Sequence, residues 1–387
     1  MRSGSGSSPT QTMLSRARDD SASLVRKDTL RPIIRRLPAI EGGDPMRRTL
    51  RGPLGWALAA GLVIAACGGT ATPPTATEAA KASTGPRIGS FDRPVVLAFT
   101  PSQEAATIAT NGAAIKAALE RATGLAWKVT VMSSYAAQVE GMCSGQIDVG
   151  FFAPLQMTPL LDRGCGSPVL GALRNETKLD GSVVLSPTYQ SQILVRADSG
   201  ITDLNGLKGK KFAFVDTLSA SGYVYPTLTI KNKTGQDPKT FFAPNGIIFA
   251  GGHPQAALAV YQGNVDGAAT FIDVRDQLVA ANPDIKTKTK VIDTAGPIPN
   301  DGVALQKDFP ADLGKTVKQA LIDYSKTDDG KAKFLALFSW NGMQEIDAKF
   351  YDPMRDAAKL AGVDVATLAK ATPRPAATVA PSPSKSP

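Results

Sequence analysis

Short apolar runs alternate with helix-like segments through most of this 387-residue chain. The predicted strands are 95–99, 127–131 and 147–152 in the first half of this region, and 210–215, 247–250 and 265–271 in the second. The segments between them have helical spacing, as Ile108, Ile115 and Leu119 show. From about residue 309 the chain is predicted to be helical, at 309–326, 328–339 and 347–362. Strands that alternate with helices predict an α/β fold with mainly parallel sheets.

The N-terminal region has the features of an export signal. Residues 1–45 are rich in Arg, Ser and Pro and lack periodicity, so we interpret them as a mis-called extension before a true start at Met46. Residues 46–66 combine a basic beginning with an apolar run of thirteen residues, which is typical of a signal peptide and too short for a permanent membrane span.

The cysteine that follows the apolar run is a predicted lipidation site. Ile64-Ala65-Ala66-Cys67 resembles a bacterial lipobox, in which the cysteine becomes the lipidated first residue of the mature protein. The alternative is an ordinary signal peptide followed by a chance cysteine. The first interpretation predicts an extracytoplasmic protein that Cys67 anchors to the membrane.

Two further stretches have the composition of linkers. Residues 67–89 are small and polar and are interpreted as a flexible tether, and the Pro-rich residues 372–387 as a disordered tail. Residues 1–66 carry 11 of the 43 Lys/Arg and 5 of the 34 Asp/Glu, so the rest of the chain has a net charge of about +3. This weak charge gives no reason to expect binding to nucleic acid.

Cys143 and Cys165 are the other two cysteines of the chain. An exported protein meets an oxidising compartment, so a disulfide between them is expected, with two free buried thiols as the alternative. Two cysteines and a single histidine, His253, do not supply the ligands of a typical metal site, and none is predicted.

One stretch, residues 214–223, has the chemistry of an anion site. A predicted strand ends at Val215, Ser219 and Ser221 follow, and a helix is predicted from Gly222. A turn into a helix presents unpaired backbone N–H groups and the positive end of the helix dipole. The alternative is that one of the serines only caps the helix.

Several short motifs follow one another in a recognisable order. They are Ser134-Tyr135-Ala136-Ala137-Gln138, Gly145-Gln146-Ile147-Asp148-Val149-Gly150, Tyr189-Gln190-Ser191, Leu204-Asn205-Gly206-Leu207-Lys208-Gly209, the 216–223 stretch, Gly263-Asn264-Val265-Asp266-Gly267 and Pro297-Ile298-Pro299-Asn300-Asp301. In this series, over residues 94–365, the chain resembles the periplasmic-type binding proteins of ABC importers for phosphonate, phosphite and phosphate.

The resemblance implies a two-lobed periplasmic-binding-protein fold of the type II kind, with the ligand in a cleft between lobes joined by two crossing strands. The crossings are expected near 194–197 and 293–299. Lobe one then comprises 90–194 plus 298–370, and lobe two comprises 196–295.

The resemblance also implies a set of ligand-binding residues. Ser219, Ala220 and Ser221 match a Ser-Thr-Ser turn that holds the phosphonyl oxygens, with alanine in place of the threonine. His253 is expected to donate to a phosphonyl oxygen, with added attraction from its charged form at mildly acidic pH. Tyr135 and Tyr189 match two tyrosines that face the ligand from lobe one; the alternative for each is a core tyrosine.

Two carboxylates are expected to decide which ligand binds. Asp273 and Asp301 match acids that hold the ammonium group of an aminoalkylphosphonate in some members of the family. Because carboxylates repel a phosphonate unless a cation lies between them, they favour 2-aminoethylphosphonate over phosphate. The alternatives are a turn-forming role for Asp301 and a helix cap for Asp273.

The predicted function is the substrate-binding subunit of an ABC importer, a monomer without cofactor or catalytic residue that delivers its ligand to a membrane permease. A receptor subunit for a sensor protein would have the same cleft and stays an alternative. A phosphate-ester hydrolase is the enzyme alternative, but it would need a metal cluster or an activated nucleophile, for which the sequence offers little.

Overall fold

The computed structural model describes residues 87–177, 180–272 and 274–370. The predicted signal peptide, Cys67, the tether and the C-terminal tail lie outside these residues, except for 87–89 of the tether. The strands are β1 Val95–Phe99, β2 Trp127–Val131, β3 Val149–Phe152, β4 Gly166–Thr177, β5 Val183–Ser186, β6 Thr188–Arg196, β7 Phe212–Phe214, β8 Ile247–Phe249, β9 Gly267–Phe271, β10 Thr289–Pro299, β11 Gly302–Gln306 and β12 Gly342–Glu345. The α-helices are α1 Ala105–Thr123, α2 Tyr135–Cys143, α3 Pro154–Asp162, α4 Tyr225–Thr234, α5 Pro238–Phe241, α6 His253–Tyr261, α7 Ile285–Lys288, α8 Ala311–Lys326, α9 Asp328–Phe338, α10 Asp352–Ala361 and α11 Val365–Ala369.

These elements build two sheets. The first has seven strands in the order β12-β4-β11-β3-β1-β2, with β5 paired to β4, and the second has five in the order β10-β6-β9-β7-β8. Phe99, Phe151 and Trp340 stack in the core of the first sheet, with ring centroids 4.8 and 5.5 Å apart. Phe212 and Phe242 stack in the core of the second at 4.4 Å. Among the described residues, no helix is both long and apolar enough to cross a membrane.

The α/β class is as predicted, but the sheets are mixed rather than mainly parallel. In the first sheet β1 pairs in parallel with β2 and β3, whereas β4, β11 and β12 pair antiparallel. The sequence patterns do not predict these three strands. Gly166, Pro168 and Gly171 give β4 a composition that is unusual for a strand.

The two sheets are joined by two short connections. β5 ends at Ser186 and β6 begins at Thr188, while β10 ends at Pro299 and β11 begins at Gly302. The side chain of the buried Asn300 donates to the carbonyl oxygen of Ser186 at 3.0 Å and so ties the connections together. The first crossing was expected near 194–197, but β6 pairs with β9 from Ser191 onward, so it lies about seven residues earlier and residues 188–194 belong to the second sheet.

Cys143 at the end of α2 and Cys165 before β4 are joined in a disulfide, with their Cα atoms 4.8 Å apart. The cross-link closes a loop with a sequence separation of 22 residues. It ties the α2–α3 layer to the first sheet.

Candidate functional site

The turn after β7 forms one wall of a buried cavity. The Asp216 side chain accepts from the N–H of Leu218 at 2.8 Å, and the Ser219 hydroxyl oxygen accepts from the N–H of Gly222 at 3.0 Å. A side chain at Gly222 would place its Cβ 2.5 Å from Val215, so only glycine allows the helix to begin this close to the preceding strand. Residues Ala220–Val224 form one π-helical turn, and α4 follows directly.

This turn presents backbone donors to the cavity. Within the described parts of the chain, no protein acceptor contacts the N–H of Ala220 or of Ser221. Both residues are 1% exposed, so water outside the protein does not satisfy these groups either. The first N–H groups of a helix together with its dipole form an anion-binding site. The Ser219 cap is therefore compatible with the predicted anion site, because it engages the N–H of Gly222 and leaves those of Ala220 and Ser221 unpaired among the described residues.

The hydroxyl groups at the turn are arranged as donors. Tyr189 donates through its O–H to the Ser221 hydroxyl oxygen at 3.2 Å, and the Ser219 oxygen already accepts from Gly222. Each serine oxygen accepts one hydrogen bond, and its own hydrogen can point towards a ligand. Ser191 fixes the turn by donating to the carbonyl oxygen of Ser221 at 2.6 Å.

His253 begins α6 and faces the same cavity. Its Nδ1 accepts from the backbone N–H of Phe271 at 3.1 Å, so the ring proton is on Nε2 and can be donated. Burial, with a smaller effect of the nearby Arg174 guanidinium, lowers the pKa of His253 to about 3. The expected gain from a charged form at mildly acidic pH is therefore wrong, because protonation of Nδ1 would break the bond to Phe271.

Arg174 and Asp301 form an ion pair at the opposite wall. Nη2 of Arg174 lies 2.9 Å from Oδ2 of Asp301, and the indole Nε1 of Trp340 donates to the same oxygen at 3.1 Å. The Arg174 guanidinium carbon lies 4.5 Å from the centroid of the Tyr189 ring and 5.1 Å from that of Phe271. Asp301, expected to hold a ligand ammonium, thus already has a cationic partner. Asp273, its expected companion, lies outside the described residues.

The cavity between the two sheets is small, with a volume of about 20 Å³. It brings together seven of the eight residues predicted to bind ligand, which are Tyr135, Tyr189, Ser219, Ala220, Ser221, His253 and Asp301. Six further residues line it that the sequence patterns did not assign to the site, which are Ser102, Gln103, Ala153, Arg174, Phe271 and Phe338. An arginine at the end of an apolar run, Val169 to Leu173, was the signal that could have identified Arg174.

Three buried donors around the cavity have no hydrogen-bond partner among the described residues. They are Nε2 of Gln103, the hydroxyl of Tyr135 and Nε of Arg174. Burial raises the pKa of Tyr135 well above its ordinary value, so this hydroxyl keeps its proton. Unpaired buried donors are rare because each loses its hydration without compensation. Their convergence indicates a ligand rich in acceptor atoms.

The described residues contain no group of three or more His, Cys, Asp or Glu side chains placed to hold a metal ion. The chemistry that the cavity does offer is recognition: neutral donors on one wall and one compensated charge pair on the other.

The family model and two curated relatives that match this chain describe proteins that bind or import phosphonate or phosphate. A family model for the periplasmic phosphonate substrate-binding proteins of ABC transporters matches residues 97–351. The chain is 32% identical over 234 residues to the "Phosphate-import protein PhnD" of Mycolicibacterium smegmatis, covering 58% of this chain and 66% of that protein. It is 27% identical over 218 residues to the "Phosphonates-binding periplasmic protein" of Escherichia coli, covering 55% and 61%. It thus spans slightly less than two thirds of each relative.

Solved structures show the same fold. A binding-protein component of an ABC phosphonate transporter from Pseudomonas aeruginosa superposes with a TM-score of 0.61 at 20% identity, covering 69% of this chain and 86% of that one. PhnD1 of Prochlorococcus marinus, solved with methylphosphonate, gives 0.59 at 17% identity, covering 68% and 97%.

Proposed function

Because the chain belongs to the family of periplasmic substrate-binding proteins of ABC phosphonate transporters, we propose that it captures a phosphorus oxyanion for import. The ligand class is a phosphonate, phosphite or phosphate, bound in the cavity between the two sheets. The protein then delivers this ligand to a permease in the membrane.

The convergence of donors on the cavity carries the proposal. The N–H groups of Ala220 and Ser221, Nε2–H of His253, and the unpaired donors of Gln103 and Tyr135 all border the same space. A PO₃ group offers three oxygens with several lone pairs each, so it can accept from donors on both walls at once. A flat carboxylate or an apolar solute would leave part of the donors unpaired.

A ligand of this size has enough atoms to bind with a micromolar or lower Kd. Phosphate and 2-aminoethylphosphonate have about five to seven heavy atoms, and very small ligands reach about 1.5 kcal/mol per heavy atom at best. This ceiling corresponds to roughly 7–10 kcal/mol, or a Kd from about the micromolar range downward. Most polar atoms of the ligand must be paired to approach it.

The identity of the ligand within this class is a further part of the proposal. The sequence-based expectation of 2-aminoethylphosphonate rests on Asp273 and Asp301, and only Asp301 lies among the described residues. The ion pair between Asp301 and Arg174 bears directly on it, because an ammonium group has to compete with a guanidinium for the same carboxylate.

We also propose an extracytoplasmic location with a lipid anchor at Cys67, in a monomer. Support comes from the lipobox-like Ile64-Ala65-Ala66-Cys67 and from the disulfide between Cys143 and Cys165, a bond typical of exported proteins. Metabolic labelling with a radioactive fatty acid tests the anchor. Cys67→Ser should remove the label, and a label that persists in this variant would contradict the assignment.

Calorimetric titration of the full chain tests the function. We expect phosphate, phosphite or a small phosphonate to bind with a Kd in the micromolar range or below, and sulfate to bind more weakly. Ser134→Ala, which removes a helix cap outside the cavity, is the matched control and should bind like the wild type. Failure of all the phosphorus oxyanions to bind, or release of phosphate from an ester at enzyme-like rates, would refute the proposal.

A further inference from the structure

Arg174 is a buried cation in the wall of the binding cavity. It lies in β4 of the first sheet, is 8% exposed and borders the same space as Ser221 and His253. Since His253 uses Nδ1 to accept from Phe271 and is neutral, Arg174 is the one full positive charge among the described residues that line the cavity.

The guanidinium group is fixed in position from several sides. Its Nη2 is bonded to Asp301, and the aromatic rings of Tyr189 and Phe271 lie against it at 4.5 and 5.1 Å. Cation–π contacts of this kind hold an arginine without using its N–H groups. Nε, which is buried, has no acceptor in the described part of the chain and so remains available to a ligand.

The carboxylate of Asp301 is correspondingly engaged. Both Arg174 and Trp340 donate to its Oδ2, at 2.9 and 3.1 Å. The pair contributes no net charge to the cavity. An ammonium group that approached Asp301 would also approach the guanidinium, and like charges at such distances repel strongly where water is excluded.

We propose that Arg174 determines ligand specificity: it neutralises Asp301 and offers its Nε–H to the anion, so that the site selects a phosphorus oxyanion without an ammonium group. This inference rests on the proposed function of the same cavity. It predicts that phosphate, phosphite and alkylphosphonates bind better than aminoalkylphosphonates.

A pair of ligands of equal size separates charge from shape. Propylphosphonate and 2-aminoethylphosphonate have the same number of heavy atoms and differ by a methyl group in place of the ammonium. Calorimetry on the full wild-type chain should give at least tenfold tighter binding for propylphosphonate. Inorganic phosphate serves as the reference that reports whether the anion site works at all.

Substitution of Arg174 should change this preference. In Arg174→Gln, Asp301 loses its cationic partner and becomes able to attract an ammonium group. We expect propylphosphonate to bind at least tenfold more weakly and the affinity ratio to shift at least tenfold towards 2-aminoethylphosphonate. Arg174→Lys keeps the charge and should keep the wild-type order of the two ligands.

The outcomes distinguish this inference from the proposed function. If the wild-type chain binds no phosphorus oxyanion, the proposed function fails and the role of Arg174 with it. If it binds phosphate but takes 2-aminoethylphosphonate as tightly as propylphosphonate, only the role of Arg174 is overturned. Rejection of both matched ligands would show that size selects the ligand, which also overturns it. These wild-type results decide the matter even if Arg174→Gln does not fold.

Discussion

Removal of the buried His253 should change how the stability of the protein depends on pH. Burial lowers the pKa of His253 to about 3 in the folded protein, whereas the unfolded chain has an ordinary histidine pKa of about 6.5. Above about pH 6.5 His253 is neutral in both the folded and the unfolded chain, so it does not make the free energy of unfolding depend on pH. Below this value the unfolded chain binds a proton at His253 before the folded protein does, and the folded state loses stability. The loss attributable to His253 between pH 7 and pH 5 is about 2 kcal/mol.

Urea unfolding of the ligand-free full chain at these two pH values measures the effect, with tryptophan fluorescence as the signal. His253→Asn is the comparison, since an amide oxygen can still accept from the N–H of Phe271 but does not titrate. Burial raises the pKa of Asp216 to about 6, which acts in the opposite direction, so the readout is the difference between the two proteins. The wild type should lose about 2 kcal/mol more than the variant. Equal losses would refute the assignment of a neutral, Nε2-protonated His253.

Two further predictions concern the anion turn and the disulfide. Ser221→Ala removes a hydroxyl from the cavity and should weaken phosphate and methylphosphonate alike, by about tenfold or more in calorimetry; a loss confined to one ligand would contradict a shared phosphoryl contact. Replacing both Cys143 and Cys165 by serine should lower the free energy of unfolding by about 3 kcal/mol, because the unfolded chain loses its closed loop. Ligand affinity should not change, and an unfolding curve of the wild type that is insensitive to reductant would count against this reading.

The sequence predicts well those strands whose own residues favour a strand, without reference to distant partners. β1 and β3 are short, continuously apolar strands, as expected for buried strands that pair in parallel, whereas β2 at the edge of the sheet alternates apolar and polar residues. β4 contains Gly166, Pro168 and Gly171 and is stabilised by partners on both sides, β11 and β12. Pairing between distant strands, rather than local preference, makes it a strand.

In the candidate site, too, some features follow from the local sequence and others depend on residues far apart in the chain. The donors at Ala220 and Ser221 follow from a strand that turns into a helix, which the sequence shows directly. The partner of Asp301 is 127 residues away in the chain, and the tautomer of His253 depends on the backbone of Phe271. Such long-range contacts leave no periodic signal, so the sequence could offer Asp301 as a candidate but could not pair it with Arg174.

One contact between the two sheets involves only main-chain atoms. The N–H of His253, at the start of α6, donates to the carbonyl oxygen of Ser102, which follows β1, at 3.0 Å. Every residue except proline supplies these atoms, so substitutions at either position can leave the contact in place. Side chains that choose the ligand can therefore vary during evolution while this link between the cleft walls persists.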